Sequence, residues 1–227
     1  MIKLKQVFLV LAMALLSGNV IADAENSLTG NPELDNEIRQ LQQDWALIKY
    51  REKDEDKQAI RMKALAEQAA MVTLRYKTYA EPLIWEAIIV SSQAGIQGGL
   101  GALSLVKHSK SLLEQAEKIN PDALGGSAYT SLGSLYYQVP GWPIGFGDDG
   151  KARAYLEQAR AVSPNGIDPN YFYGDYLLDQ GEYDKAIQVL ELALRAPDRP
   201  DRPVADAGRR EEIKQAIAKA KQNLDDN

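Results

Sequence analysis

The chain has 227 residues, with 26 Lys and Arg against 32 Asp and Glu, one histidine and no cysteine. Without cysteine there is no disulfide framework, no Cys-ligated zinc, no thiol nucleophile and no acylated lipoprotein cysteine. A net charge of -6 with interspersed basic residues argues against affinity gained by neutralising nucleic-acid phosphates, and a 45% hydrophobic, 7% aromatic composition points to a core of Ala and Leu, which suits helices.

Lys3 and Lys5, the uncharged apolar run Val7 to Leu16, and the small-x-small pairs Val20-Ile21-Ala22 and Ala22-Asp23-Ala24 follow the order of a secretory signal peptide over residues 1–24. The apolar run is well short of the ~20 residues that span a bilayer. Cleavage after Ala22 or Ala24 predicts a soluble, non-lipidated periplasmic product. No membrane span is expected after it, and cleavage after Ala24 leaves a net charge of -7.

Residues 25–81 read as N-terminal helices, either independent or forming one degenerate repeat. Asn31-Pro32 supplies an N-cap and a first helical position, and Leu34, Ile38, Leu41, Trp45 and Ile48 recur at helical spacing. The charged run 51–57 reads as a solvated turn, with an Ala-rich helix from Ile60 to Tyr79 after it.

Further along, Ala152, Leu156 and Ala159 recur 34 residues later as Ala186, Leu190 and Ala193. Their spacings of 4 and 3 place each trio on one helical face. Ahead of the first trio stand Tyr129, Leu132, Gly133 and Tyr136; ahead of the second stand Tyr173, Gly174 and Leu177. Gly181 and Tyr183 fall at a turn, and Pro164 and Pro197 close the units. In period and in these positions, residues 127 to 197 resemble the tetratricopeptide repeat (TPR) family, a helix-turn-helix unit of ~34 residues.

That resemblance implies an all-α solenoid of about three repeat pairs, 82–121, 127–164 and 168–197, within 82–198. In the first, Trp85, Leu113, Ala116 and Pro121 fit the pattern with eight residues to spare, which fall over Gly95 to Gly101 and predict a lengthened glycine-rich turn. Residues 199–227 read as a Pro-rich turn and a capping helix, Asp206 to Gln222, whose thin apolar face holds Ile213 and Ile217.

The middle unit carries about seven extra residues within 137–150, a stretch rich in Pro, Gly and aromatics. Trp142 and Phe146 either meet a partner or fold back into the widened turn, with Asp148 or Asp149 capping the next helix. Asp148-Asp149-Gly150 does not continue as a calcium loop. The glycines at 95–101 lack the Gly-Lys-Ser/Thr of a phosphate loop. With the small residues around them, from Ser91 to Ala102, they suit close helix packing or leave space for a ligand. His108 suits a surface or inter-repeat hydrogen bond. No serine lies in a Gly-x-Ser-x-Gly elbow, and no metal, cofactor or catalytic set is expected, so an enzyme is not the expected reading.

The leading expectation is a scaffold that binds a protein or peptide in a concave groove through Tyr129, Tyr136, Trp142, Phe146, Tyr173 and Tyr176. The alternative is an accessory protein for a small organic ligand. Its basis is a looser similarity to TPR proteins of TRAP transporters, which implies a pocket near Gly95 to Gly101.

Overall fold

The computed structural model describes residues 27–226, so the signal segment 1–24 lies outside the described residues. Nine helices occur among them: α1 Pro32–Arg51, α2 Glu55–Arg75, α3 Ala80–Gln97, α4 Gly99–Ile119, α5 Ala123–Gln138, α6 Asp149–Val162, α7 Ile167–Asp179, α8 Tyr183–Leu194 and α9 Pro203–Asp225.

Local chemistry sets most of these ends. The Asn31 side chain accepts from the amides of Glu33 and Leu34, and Pro32 takes a position that has no amide to satisfy. Asp54 accepts from the Lys57 amide at 3.0 Å and starts α2. The charged run therefore shrinks to a three-residue link, because its flanks are good helix formers that continue α1 and begin α2. Pro203 opens α9 three residues before the expected Asp206.

The long turn expected at 95–101 is absent. α3 runs to Gln97, α4 begins at Gly99, and the chain reverses through Gly98 and Gly99, with φ +61 and +63, conformations that glycine adopts at little cost. The spare residues lengthen two helices instead.

Within the repeats, close approach of the paired helices is fixed by glycine. A methyl group at Gly133 of α5 would sit 2.5 Å from Leu156 Cγ of α6, and one at Gly174 of α7 would sit 2.6 Å from Leu190 Cγ of α8. The partners are 23 residues apart in one pair and 16 in the other. The seven-residue difference is the insertion. Both leucines and all four alanines of the two trios are fully buried.

The helices form two layers. α1, α3, α5, α7 and α9 each pack on the next, with α2, α4, α6 and α8 outside them, and α9 packs back on α1. The solenoid thus closes into a ring. An open concave groove was expected; the closure makes that face the wall of a central space that is still partly open to solvent. α9 also does more than shield a last repeat. Ile213 and Ile217 bury in the core, while Asp206 and Arg209, on what reads in the sequence as a solvated back, are buried too.

Candidate functional site

All five inner helices line a central cavity of about 520 Å³. Trp45 and Lys49 come from α1; Trp85, Ile88, Ser92 and Gly95 from α3. α5 contributes Ser127, Ser131 and Ser134, spaced 4 and 3 on one face, and α7 contributes Asp168, Tyr171 and Phe172. Arg202, at the N-cap of α9, and Arg209 within it complete the circuit. The wall is mainly apolar, with its charge gathered on one side.

That side is a network. Arg209 Nε donates to Asp168 Oδ1 at 2.9 Å and its Nη1 to Glu212 Oε2 at 2.6 Å; Arg199 donates to the other oxygen of Asp168 at 2.8 Å and to Asp206. Lys49 pairs with Glu212 at 3.0 Å. Burial works against the Asp168 charge, yet Arg209 and Arg199 hold its carboxyl far below the usual range. Burial, with Arg209 nearby, pulls the Lys49 ammonium down, and burial pushes the Tyr171 phenol up to about 12. Trp45 meets Trp85 edge-on at 5.9 Å and donates from Nε1 to Ser92 Oγ at 2.8 Å.

The six residues singled out from the sequence lie elsewhere. Tyr129, Tyr136, Tyr173 and Tyr176 are buried between helices. Tyr136 stacks on Tyr155 at 5.7 Å, and Tyr129 tilts against the same ring at 6.2 Å. Tyr173 donates to Glu157 at 3.1 Å, and Tyr176 to the Asp149 carbonyl at 3.2 Å. Phe146 folds back edge-on against Tyr136 at 5.7 Å. Trp142 does not: it is 90% exposed, and Ile144, on the cavity's rim, is 65% exposed. Asp148 is the residue that caps α6, accepting from the Lys151 amide at 3.0 Å. His108 reaches Glu86 at 3.2 Å and ties α4 to α3.

Of the stretch read as close packing or ligand space, Ser91, Ser92, Ala94, Gly95, Gly99 and Ala102 line the cavity. Trp45, Lys49, Phe172, Arg202 and Arg209 carry no signal in the sequence that marks them as site residues, whereas Tyr171 belongs to the tyrosine cluster of the repeats. A signal was present in α5, where the serine stripe runs opposite the face of Tyr129, Gly133 and Tyr136.

Among the described residues no helix is long and apolar enough to cross a membrane, and no three of His, Asp and Glu gather as a metal ion requires. Residues 145–207 match a family model described as a tetratricopeptide repeat, covering α6 to α8 and the start of α9. No curated protein matches the chain.

Proposed function

We propose, on the premise of the tetratricopeptide repeat matched at residues 145–207, that the chain is an exported, periplasmic scaffold that holds a protein or peptide partner at the rim of its ring. The observation that carries this reading is the tip of the 139–148 loop, where Trp142 and Ile144 stand in solvent. The stem beneath them is fixed: Gly147 donates to the Pro140 carbonyl at 3.0 Å, and Asp148 to the Tyr136 carbonyl at 2.8 Å. An exposed tryptophan on a rigid stem is the kind of anchor that dominates an interface, because little side-chain and loop entropy is left to lose on binding. Export is supported by the basic start, apolar run and small-x-small sites of residues 1–24. Pull-down from periplasmic extract tests the surface. Trp142→Ala and Ile144→Ser should each lose material that the wild type captures; identical captures would remove the loop from consideration.

A second reading, a carrier for a small organic ligand, is favoured by the central cavity, whose volume lies in the range of small-molecule sites. Native mass spectrometry of gently purified protein should then show a retained organic mass; a bare monomer counts against it.

A further inference from the structure

A helix in the outer layer buries one face and shows water the other, so its solvent face should be polar. α2 departs from this. Its buried residues are Met62, Leu65, Ala66, Ala69 and Val72. On the opposite side Ile60, Ala64, Glu67, Met71 and Leu74 follow one another at spacings of 4, 3, 4 and 3, and all five are exposed. Ile60 is 69% exposed, and Met71 and Leu74 are each 58% exposed. Among the described residues the other exposed large apolar side chains on helices, Leu47, Ile119, Val162 and Leu224, stand one to a helix, as scattered surface residues do. Three on a single stripe mark a surface that another helix covers.

The spacing is that of a seam which receives a second helix knobs-into-holes. It is also a palindrome. Ile60, Ala64, Glu67 and Met71 are placed symmetrically about a point midway between residues 65 and 66. A two-fold axis through that point, perpendicular to the helix, lays a second α2 antiparallel on the first. It sets Ile60 against Met71 of the other copy and Ala64 against Glu67, the small alanine leaving room for the longer stem. Leu74 falls against the aliphatic part of Lys57.

The charges fit the same axis. Among the described residues neither Lys63 nor Glu67 makes an ion pair or a hydrogen bond through its side chain. Lysine four residues before glutamate is the weaker order for pairing along one helix. In the antiparallel pair Lys63, next to Ala64, stands where the other copy's Glu67 arrives, so the two-fold makes the Lys63–Glu67 bridge twice.

We propose that the exposed stripe of α2 is a homodimer interface, in which two copies of this chain pack α2 on α2, antiparallel, about a two-fold axis between residues 65 and 66. The seam is ~22 Å long and about as wide as one helix, ~10 Å, so it falls well short of the ~800 Å² per partner of a standard interface. The dimer is therefore weak and reversible. It rests on neither functional reading above.

Sedimentation equilibrium of the purified protein from about 10 μM to about 1 mM should show a monomer passing to a dimer, the range in which a small interface associates. Ile60→Glu should abolish the dimer and leave the melting temperature unchanged, because the side chain lies in solvent. Lys63→Glu and Glu67→Lys each turn two attractions into two repulsions, and each should weaken self-association about fivefold or more. Mixed in equal amounts, those two variants should recover the wild-type affinity as a heterodimer, since every mixed pair again sets Glu against Lys. A merely structural effect of either substitution cannot produce that recovery. A trimer, a dimer that survives Ile60→Glu, or a mixture no tighter than its components overturns the proposal. So does a wild type that stays monomeric throughout, which leaves the stripe to a helix of another protein.

Discussion

Arg209 reaches back 41 residues to Asp168, Nε to Oδ1 at 2.9 Å, and in doing so fastens α9 to α7 on the inner wall of the ring. Its guanidinium is also packed over Tyr171, 4.2 Å from the centroid, and Phe172, at 4.7 Å. The arginine is 5% exposed, so its own charge sits where water solvates it poorly, while Asp168 is partly open to solvent.

Removing Arg209 leaves Asp168 with Arg199 alone and Glu212 with Lys49 alone. Arg209→Ala should cost about 2 kcal/mol, from the weakened network and the lost packing of the guanidinium on Tyr171 and Phe172. Urea unfolding followed by circular dichroism measures it. A loss under about 0.5 kcal/mol would mean that the contact contributes nothing beyond a surface pair.

Gly133→Ala and Gly174→Ala give a prediction whose sign is diagnostic. Alanine in a helix interior ordinarily gains up to about 1 kcal/mol over glycine. Here the added methyl meets Leu156 or Leu190 at 2.5 and 2.6 Å, so each variant should instead lose about 2 kcal/mol through overpacking. Thermal melts of the two single variants suffice, and a rise in melting temperature would contradict the packing described.

Glu81, buried in the first turn of α3, has its carboxyl pKa raised by burial and further by the Asp35 charge. A carboxyl whose folded pKa lies above its unfolded value weakens the fold above that pKa, and the penalty disappears as pH falls to the unfolded value of about 4.3. Glu81→Gln should therefore be more stable than wild type at pH 7, by about 1 kcal/mol, with the gap closing near pH 4. Paired melts at the two pH values read the effect directly.

Trp142 and Tyr176 separate surface from core. Trp142→Ala should shift stability by less than about 0.5 kcal/mol, because the ring is 90% exposed. Tyr176→Ala, at 2% exposure, should cost about 3 kcal/mol. Chemical denaturation of both variants in one buffer compares them. A Tyr173 variant tested for partner binding carries the same difficulty as Tyr176, since that ring is 8% exposed and its loss disturbs the fold.

The sequence showed the repeats because their chemistry is local and periodic: Ala152, Leu156, Ala159 and their copies announce a helix face wherever the rest of the chain goes. It showed the length of the insertion, and the structure accounts for all seven residues between Gly133–Leu156 and Gly174–Leu190. What it did not show depends on curvature. Nothing within α9 states that Arg209 will meet Asp168, so that arginine reads as solvated. The placement of the tyrosines depends on the same curvature. Tyr129, Tyr136, Tyr173 and Tyr176 share the polar-aromatic character of binding surfaces, yet each lies on the side of its helix that faces the outer layer. The cavity took the serines, Tyr171 and Phe172 instead, and only the superhelical turn reveals which face points inward.

The contact of α9 with α1 has one more consequence. An open array of repeats has two loose ends, and its stability is close to a sum of neighbour terms, so it can peel from either terminus. A circular array has no terminus from which to peel. Every inner helix has a neighbour on both sides, so neither terminal helix can fray until its junction across the ring is broken as well. Such a chain should unfold as one cooperative body rather than unit by unit. Each wall of the cavity then depends on helices at the far ends of the sequence.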